Sequence, residues 1–597
     1  MPTYKAPIKD MQFVLYDVLG AEKLTELKGY EEAGRDTFDA VLEEAAKIAE
    51  ELLFPLNRSG DEEGCTYENG VVRTPKGFIE AYKTFREGGW TALTGNPDFG
   101  GSGLPHALDF AVGEMMSTAN LSFAMYPGLS HGAYNAIEVW GTDEQKQTYL
   151  PKLVDGTWSG TMCLTEPHCG TDLGLIRTKA TPNGDGSYAI SGTKIFISAG
   201  EHDLTDNIVH LVLAKLPDAP PGTKGISLFV VPKFMPADNG DVGARNGLMC
   251  GAIEHKMGIK ASSTCVMNFD GATGWLVGPP HNGMKAMFTM MNAARLFVGL
   301  QGLALAEGSY QNAVAYAKDR RQGRALSGAK EPAAPADSII VHPDVRKNLL
   351  TMKSIIEGSR ALIYWTALEL DRHEKHEDPE ARKEADDFVA LLTPVVKSFL
   401  TDQAVVLSSI GMQVYGGHGY IREHGQEQYL RDAKITAIYE GTNGIQALDL
   451  IGRKLPDGMG RTLRRFFHPA MEFIKAEEGT ESLKGLLPAW AKAFNRLQQA
   501  TLLVAERGVS KPEEAAAMAT DYLNTFAMVA IGFMWLKMAK VAAEKMDGAD
   551  AEAKKFYDAK LKTADFYMAK ILPQVNGLLL SLQSGGKSIM ALAEDQF

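Results

Sequence analysis

From the start of the chain to about Gly160, apolar residues recur on helical spacing. Phe38, Val41, Leu42, Ala45 and Ala49 share one stripe; Leu108, Ala111, Val112 and Met115 share another. Between them, TALTGNPDFGGSGLP (91–105) places Gly and Pro where no regular element tolerates them, which predicts a long ordered loop. GTDEQKQTYLPKLVDG (141–156) reads as a short helix with Thr142 at its N-cap and acidic residues in its first turn. From about Thr161 to Gly278 the pattern changes. SYAISGTKIFIS (187–198), NIVHLVLAKL (207–216), GISLFVVPKF (225–234) and STCVMNFDG (263–271) are strand-length runs rich in Val, Ile and Phe, bounded by Gly, Pro, Asn and Asp. This stretch predicts a β domain, a barrel or a sandwich.

Helices then return, the first running roughly from Asn282 to Arg321. GAKEPAAPADSIIVHP (328–343) is broken by three prolines and reads as a loop. DRHEKHEDPEARKEADD (371–387) predicts a solvated charged face and a turn. After Pro456-Asp457-Gly458 another helical block runs to Phe597. Its helix around Phe526–Leu536 is apolar on nearly every side and must be buried against other helices. The chain therefore divides into a helical domain (1–160), a β domain (161–280), a helical bundle (281–455) and a C-terminal helical extension (456–597). The expected class is α+β, multidomain.

At 597 residues the chain is too long for one core, and 45% apolar with 23% charged residues excludes a disordered or fibrous protein. A net charge of −13 argues against nucleic acid as the main partner. Five cysteines without a CxxC pair predict neither a disulfide framework nor a zinc site. MPTYKAPIKDMQFVLYDVL is interrupted by Lys5, Lys9 and Asp10, so it is no signal peptide. The longest relevant apolar run, Phe526–Leu536, falls short of the ~20 residues a bilayer needs. No membrane segment and a cytoplasmic location are expected.

Five stretches could carry chemistry. In MCLTEPHCGTDLG (162–174) the chain enters the β domain through Gly170 and Thr171, where backbone N–H groups and hydroxyls can meet a flat polar ligand; a simple turn fits equally. In GTKIFISAG (192–200) strand alternation puts Phe196 and Ser198 on one face, a stacking ring beside a hydroxyl, although core packing also explains Phe196. YAKDRRQGR (316–324) ends a helix with a basic cluster from which Arg320 could offer a fork to a pyrophosphate. GMQVYGGHGYIREHG (411–425) contains a Gly pair that permits close ligand approach or merely stops a helix. In RDAKITAIYEGTNGIQ (431–446), Glu440 stands between Tyr439 and Gly441 after an apolar stretch. Desolvation there would raise its pKa and suit it to accept a proton; a helix-capping role fits as well.

In order and spacing these stretches resemble the two signatures of the acyl-CoA dehydrogenase family, TEPHCGTD and QVYGGHGYIRE…RDAKITAIYEGTNGIQ. The N-terminal segment and the extension resemble a longer bacterial branch of that family, which includes an enzyme acting on an acyl-CoA with a 3-methylthio group. The resemblance implies bound FAD. Met162, Leu164 and Thr165 would meet the flavin edge, with Gly170 beside them, and Thr171 would lie where FAD pyrophosphate and pantetheine meet. Phe196 would lie on the flavin and Ser198 near its N5. Arg320 and Gln322 would reach a neighbouring subunit's FAD, Gln413 and Gly417 its adenosine half, and Thr442 and Gly444 a pyrophosphate. Arg295 and Gly441 would contact substrate, and Glu440 would be the base. Some branches carry the base near Ala294, where alanine cannot serve.

The implied reaction is α,β-dehydrogenation of an acyl-CoA in a homodimer, with electrons passing to an electron-transfer flavoprotein; no GxGxxG follows a strand to suggest NAD. The alternatives are a general short- or medium-chain dehydrogenase, an O₂-linked acyl-CoA oxidase, and an alkylation-response flavoprotein that binds DNA. The last wants a basic C-terminal face, yet Arg461, Arg464 and Arg465 are followed by Glu477, Glu478, Glu481, Glu513 and Glu514. Three positions depart from the family pattern: Cys169 for a small residue, Phe196 for Trp, and Gly323 for Phe.

Overall fold

The computed structural model describes residues 2–237 and 240–597. Of these, the residues within 44–104 and 115–295 form one compact unit, and those within 2–43, 105–114 and 296–597 form another.

The first unit is built on a β barrel. Its strands are preceded by a small hairpin, β1 (Thr66–Glu68) with β2 (Val71–Arg73), which the helical reading of the opening block did not anticipate. The hairpin strands are three residues each, too short for alternation to announce them. The larger sheet comprises β3 (Trp158–Cys163), β4 (Lys179–Pro182), β5 (Tyr188–Ser198), β6 (Asn207–Lys215) and β7 (Ile226–Pro232). The hairpin β8 (Phe234–Pro236) and β9 (Val242–Arg245) follows, then β10 (Leu248–Ile253) and β11 (Thr264–Leu276) complete the sheet. The path β11–β5–β4–β6 is closed by β7, which pairs with both β6 and β11, so of the two expected architectures the barrel is realised. β10 adds beside β11, and β3 beside β6 in parallel.

The central strands read as continuous apolar runs because both faces are covered. Val209, Leu211, Leu213, Leu228 and Val230 pack outward against helical residues such as Ala133, Ile137 and Leu150. Val212, Ala214, Phe229 and Val231 point inward with Ile190, Met267 and Phe269. Thr142 caps its helix as expected. Its Oγ1 accepts the Gln145 N–H at 3.2 Å, and Gln145 Oε1 accepts the Thr142 N–H at 3.1 Å.

The second unit is helical. Pro343–Lys375 and Pro379–Val414 pack on one another, followed by Gln426–Thr436 and Asn443–Asp449. The expected apolar helix is the centre of Pro512–Met546, and every residue from Thr525 to Leu536 is buried. Helices Leu487–Ser510, Ala551–Phe566 and Val575–Ser584 surround it. Trp535 Nε1 donates to the Ser354 carbonyl at 2.8 Å, and a Cβ on Gly358 would stand 2.6 Å from Ile531, so the extension sits tightly on Pro343–Lys375.

Among the described residues Pro379–Val414 and Pro512–Met546 are each long and apolar enough to cross a membrane by length and composition, and 67% and 78% of their apolar windows is buried within the protein. One expectation needs correction. The charged run 371–387 is not simply solvated. Asp371 is fully buried and accepts from the Tyr30 hydroxyl at 3.0 Å and from the N–H groups of His106 (2.6 Å) and Ala107 (3.0 Å). Asp387 is buried too, and receives Arg461 at 2.7 Å and Lys383 at 2.8 Å. A buried carboxylate is retained where donors converge on it. The N-terminal arm is held the same way: buried Arg360 pairs with Asp10, Glu114 and Glu307, and Lys560 of the extension pairs with Asp10 and Glu357.

Candidate active site

In the barrel unit the first signature is sewn to β5. The Ile195 N–H donates to the Thr165 carbonyl at 2.9 Å, and Lys194 Nζ donates to the Leu164 carbonyl at 3.0 Å and to Glu166 Oε1 at 2.9 Å. Lys194 and Glu166 are both buried. Glu166 also accepts from the Thr178 hydroxyl at 2.6 Å and from the N–H groups of Thr178 (3.0 Å) and Arg177 (2.7 Å). Burial pushes its pKa up, but the Lys194 ammonium and these donors outweigh burial and leave it lowered. Glu166 and Cys169 exchange backbone hydrogen bonds of 2.9 and 3.0 Å, closing the EPHC turn. Glu166, His168 and Cys169 bring potential metal-ligand atoms within 4.8 Å of one another, yet both Glu166 oxygens already serve the donors just named.

That framework fixes the implied flavin contacts. Met162 and Thr165 are half-buried, Leu164 is buried in the outer barrel core, and Gly170 and Thr171 are exposed. Cys169 packs into the same core, so the departure from a small residue is accommodated away from the surface. Phe196 is 58% exposed, whereas Phe229 and Phe269 of the same barrel are buried. Its backbone has φ +58°, a left-handed conformation unusual for a bulky residue. The pairing shows why: Lys194 opposes Met267 and Ile197 opposes Cys265, so β5 carries one residue more than β11 between these pairs. Simple alternation therefore fails between Lys194 and Ile197, which are both buried, and holds only locally from exposed Phe196 to half-buried Ser198. An exposed ring beside hydroxyls at a strained bulge fits the face of a planar heterocycle such as a flavin. Arg295 is half-buried, with its guanidinium 5.8 Å from the Phe288 ring.

The helical unit carries the second signature. After Gln426–Thr436 the chain turns through Glu440, half-buried with φ +57°, and Gly441, φ +88°. The Tyr439 hydroxyl donates to Gln301; burial and then the Glu440 charge push its pKa up. Lys397, fully buried, donates to the Gly441 carbonyl and to Asn443 Oδ1, both at 2.8 Å. Thr442 and Gly444 are exposed, and a Cβ on Gly444 would meet nothing within 4 Å.

Arg320, Gln322, Gln413 and Gly417 are exposed on this unit. The loop after Arg320 folds around Asp337. The N–H groups of Ala325, Lys330 and Glu331 converge on its carboxylate and hold its pKa well below the usual range. Gly323 turns that loop at φ +68°, a conformation that favours glycine and accounts for the missing aromatic. The loop lines a cavity of about 600 Å³ with Leu326, Lys330, Ile340, Val341 and Arg346. Tyr316 stacks on Tyr415 at 4.1 Å and bonds His418 at 2.9 Å, pinning the Gly-rich turn.

Sequence reasoning missed Glu166, Lys194, Lys397, Asn443 and Gln301. The one available signal was a lone cation inside an apolar run, in TKIFI and PVVKSF.

Comparison with known proteins matches the pattern of the acyl-CoA dehydrogenase N-terminal domain over residues 35–157, the middle domain over 161–272 and the C-terminal domain over 281–455. An acetyl-CoA dehydrogenase C-terminal-like pattern matches residues 466–593. The 3-methylmercaptopropionyl-CoA dehydrogenase of Ruegeria pomeroyi is 43% identical over 597 residues, covering 98% of this chain and 99% of that protein. A butyryl-CoA dehydrogenase of Syntrophomonas wolfei is 34% identical, covering 100% and 99%. A Bacillus anthracis acyl-CoA dehydrogenase solved in complex with FAD shares the fold at TM-score 0.73 and 19% identity, over 95% of this chain and 90% of that one. This chain belongs to the acyl-CoA dehydrogenase family.

Proposed function

We propose that this FAD-dependent acyl-CoA dehydrogenase converts 3-methylmercaptopropionyl-CoA to methylthioacryloyl-CoA, in the demethylation of dimethylsulfoniopropionate. The observation carrying this is the 43% identity to the Ruegeria pomeroyi enzyme, which extends through the N-terminal arm and the extension alike.

Glu440 takes the α-proton. A thioester α-proton is far too weak an acid for an unaided carboxylate, so the developing oxyanion must be met by a donor, and the Glu440 backbone N–H serves. Bound FAD supplies the acceptor for the β-hydrogen with its electron pair. Phe196 would stack on the flavin, Ser198, Thr165 and the segment Met162–Leu164 would bond its edge, and Gly170 would let the chain pass close. Thr171 would meet the pyrophosphate and pantetheine, and Arg295 and Gly441 would contact substrate. Excluding water brings the pKa of Glu440 and that of the substrate together.

Arg320, Gln322, Gln413 and Gly417 would reach a second subunit's FAD, with Thr442 and Gly444 at a pyrophosphate. The protein is then a cytoplasmic homodimer, its second contact surface covered by the extension, and an electron-transfer flavoprotein is its acceptor. We assign it neither nucleic acid nor membrane as a partner. The domain limits that go with this reading are 1–160, 161–280, 281–455 and 456–597.

Steady-state comparison of 3-methylmercaptopropionyl-CoA, butyryl-CoA and octanoyl-CoA with an artificial acceptor tests the substrate. The methylthio thioester should give the highest kcat/KM; preference for butyryl- or octanoyl-CoA makes this a general short- or medium-chain enzyme. Light scattering tests assembly: a tetramer refutes the covered face, and an active monomer refutes the cross-subunit contact.

A further inference from the structure

Helix Pro379–Val414 is buried through Leu391–Thr401, and one cation, Lys397, sits inside that stretch. An ammonium out of water is costly unless its protons find acceptors. Lys397 finds the Gly441 carbonyl and Asn443 Oδ1. Asn443 is fixed in turn: its Nδ2 donates to the Ser398 carbonyl at 3.1 Å, Thr401 Oγ1 at 2.9 Å and Asp402 Oδ1 at 2.7 Å. From the same helix as Asn443, Gln446 Nε2 lies 3.3 Å from the carbonyls of both Glu440 and Gly441. The two carbonyls after the Glu440 Cα are thereby tied to buried side chains of two helices.

This clamp lies where the backbone is strained. Glu440 at φ +57° carries a Cβ in the left-handed region, a conformation that persists only when its surroundings over-determine it. Gly441 at φ +88° continues the turn.

Resting on the assignment of Glu440 as base, we infer that Lys397 is its positioning residue. It holds the left-handed turn that aims the carboxylate, and it keeps a positive charge one residue away that favours the proton-accepting form. The titratable groups around this pair are Asp402 on the helix of Lys397, Asp432 and Lys434 on Gln426–Thr436, and Tyr439 beside Glu440. Lys397 touches no reacting atom; it acts through the loop.

The test uses full-length, FAD-loaded enzyme carrying Lys397→Met, Asn443→Ala or Glu440→Gln. Flavin content, thermal midpoint, substrate Kd, the single-turnover rate of flavin reduction and its pH profile are measured. Lys397→Met should keep FAD and substrate affinity while slowing flavin reduction about 10²-fold, the scale of a misplaced catalytic group. Its pH profile should also move, the limb belonging to the base rising to higher pH once the nearby cation is gone. Asn443→Ala should slow the reaction less and leave the limb in place, because the charge remains.

Lys397→Met with an unchanged rate and pH limb overturns the inference. So does loss of rate together with loss of FAD, which marks a general structural role. If Lys397→Met does not fold, Asn443→Ala decides, and an unchanged rate overturns the proposal. Failure of the underlying assignment looks different: Glu440→Gln itself would remain active.

Discussion

Two buried lysines, one in each unit, each tie down a backbone segment to which the proposed function gives a role. Lys194 on β5 ties down the flavin-side segment two residues before Phe196, at φ +58°. Lys397 ties down the base-side loop one residue after Glu440, at φ +57°. Each stands beside a non-glycine residue in left-handed backbone. Lys194 meets a buried carboxylate directly, and Lys397 donates to a carbonyl and a carboxamide while its charge also acts on Asp402. A neutralised pair suits a surface that receives a ring by stacking.

The largest test of this contrast is Glu440→Gln. The carboxamide keeps the shape and cannot take the α-proton, so turnover should fall by roughly 10²–10⁴-fold with FAD and acyl-CoA still bound. Anaerobic flavin reduction by substrate measures it. A variant keeping more than about a tenth of the rate would put the base elsewhere.

Lys194→Met should behave unlike Lys397→Met. It leaves the buried Glu166 carboxylate without its ammonium partner, at a cost of about 3–5 kcal/mol. The thermal midpoint should drop and FAD should dissociate on dilution, whereas Lys397→Met should lose rate and keep its flavin. If both variants fail in the same way, the distinction between a paired clamp and an aiming clamp collapses.

Much of this was legible in the sequence, unevenly. The Thr142 cap, the loop 91–105 and the buried helix around Phe526–Leu536 follow from local pattern, since each depends on residues near in the chain. The order of the two signatures was enough to imply the flavin, and it is the ground on which Glu440 is proposed as the base. Side chains whose partners come from afar were not legible. Asp371 looks solvated in a run of charges, yet it receives Tyr30 and the start of another helix. Lys194 and Lys397 look like stray cations, because Glu166 and Asn443 reach them only in the fold. The bulge at Phe196 was hidden too, since it exists only in register with β11.

Acid should act on the barrel side through Glu166. The pKa of Glu166 is lowered in the fold, so its pair stabilises the barrel at pH values above the ordinary carboxylate pKa of about 4.3. That contribution is lost as pH falls below it, toward the depressed folded value. Flavin release followed by fluorescence should show an acid step below about pH 4.3 in the wild type. The step should be missing from Glu166→Gln, whose side chain does not titrate. A release profile shared by both would remove Glu166 from the flavin side.

The smallest expected effect probes the strain at the bulge. Left-handed backbone costs a residue with a Cβ about 1–2 kcal/mol, and glycine escapes this at an entropic cost of about 0.5–1 kcal/mol. Because Phe196 is mostly exposed, its replacement sacrifices little packing within the chain. Phe196→Gly should therefore leave the FAD-free protein unchanged or more stable by up to about 1 kcal/mol. It should also weaken FAD binding by the value of one stacked ring, about 0.5–1.5 kcal/mol, or roughly 2- to 12-fold in Kd. Phe196→Trp should keep the affinity. Thermal midpoints of the FAD-free forms and fluorescence titrations with FAD read the two effects separately. If Phe196→Gly destabilises the FAD-free protein, the ring is packing for the barrel, and the strained bulge is no preparation for a flavin.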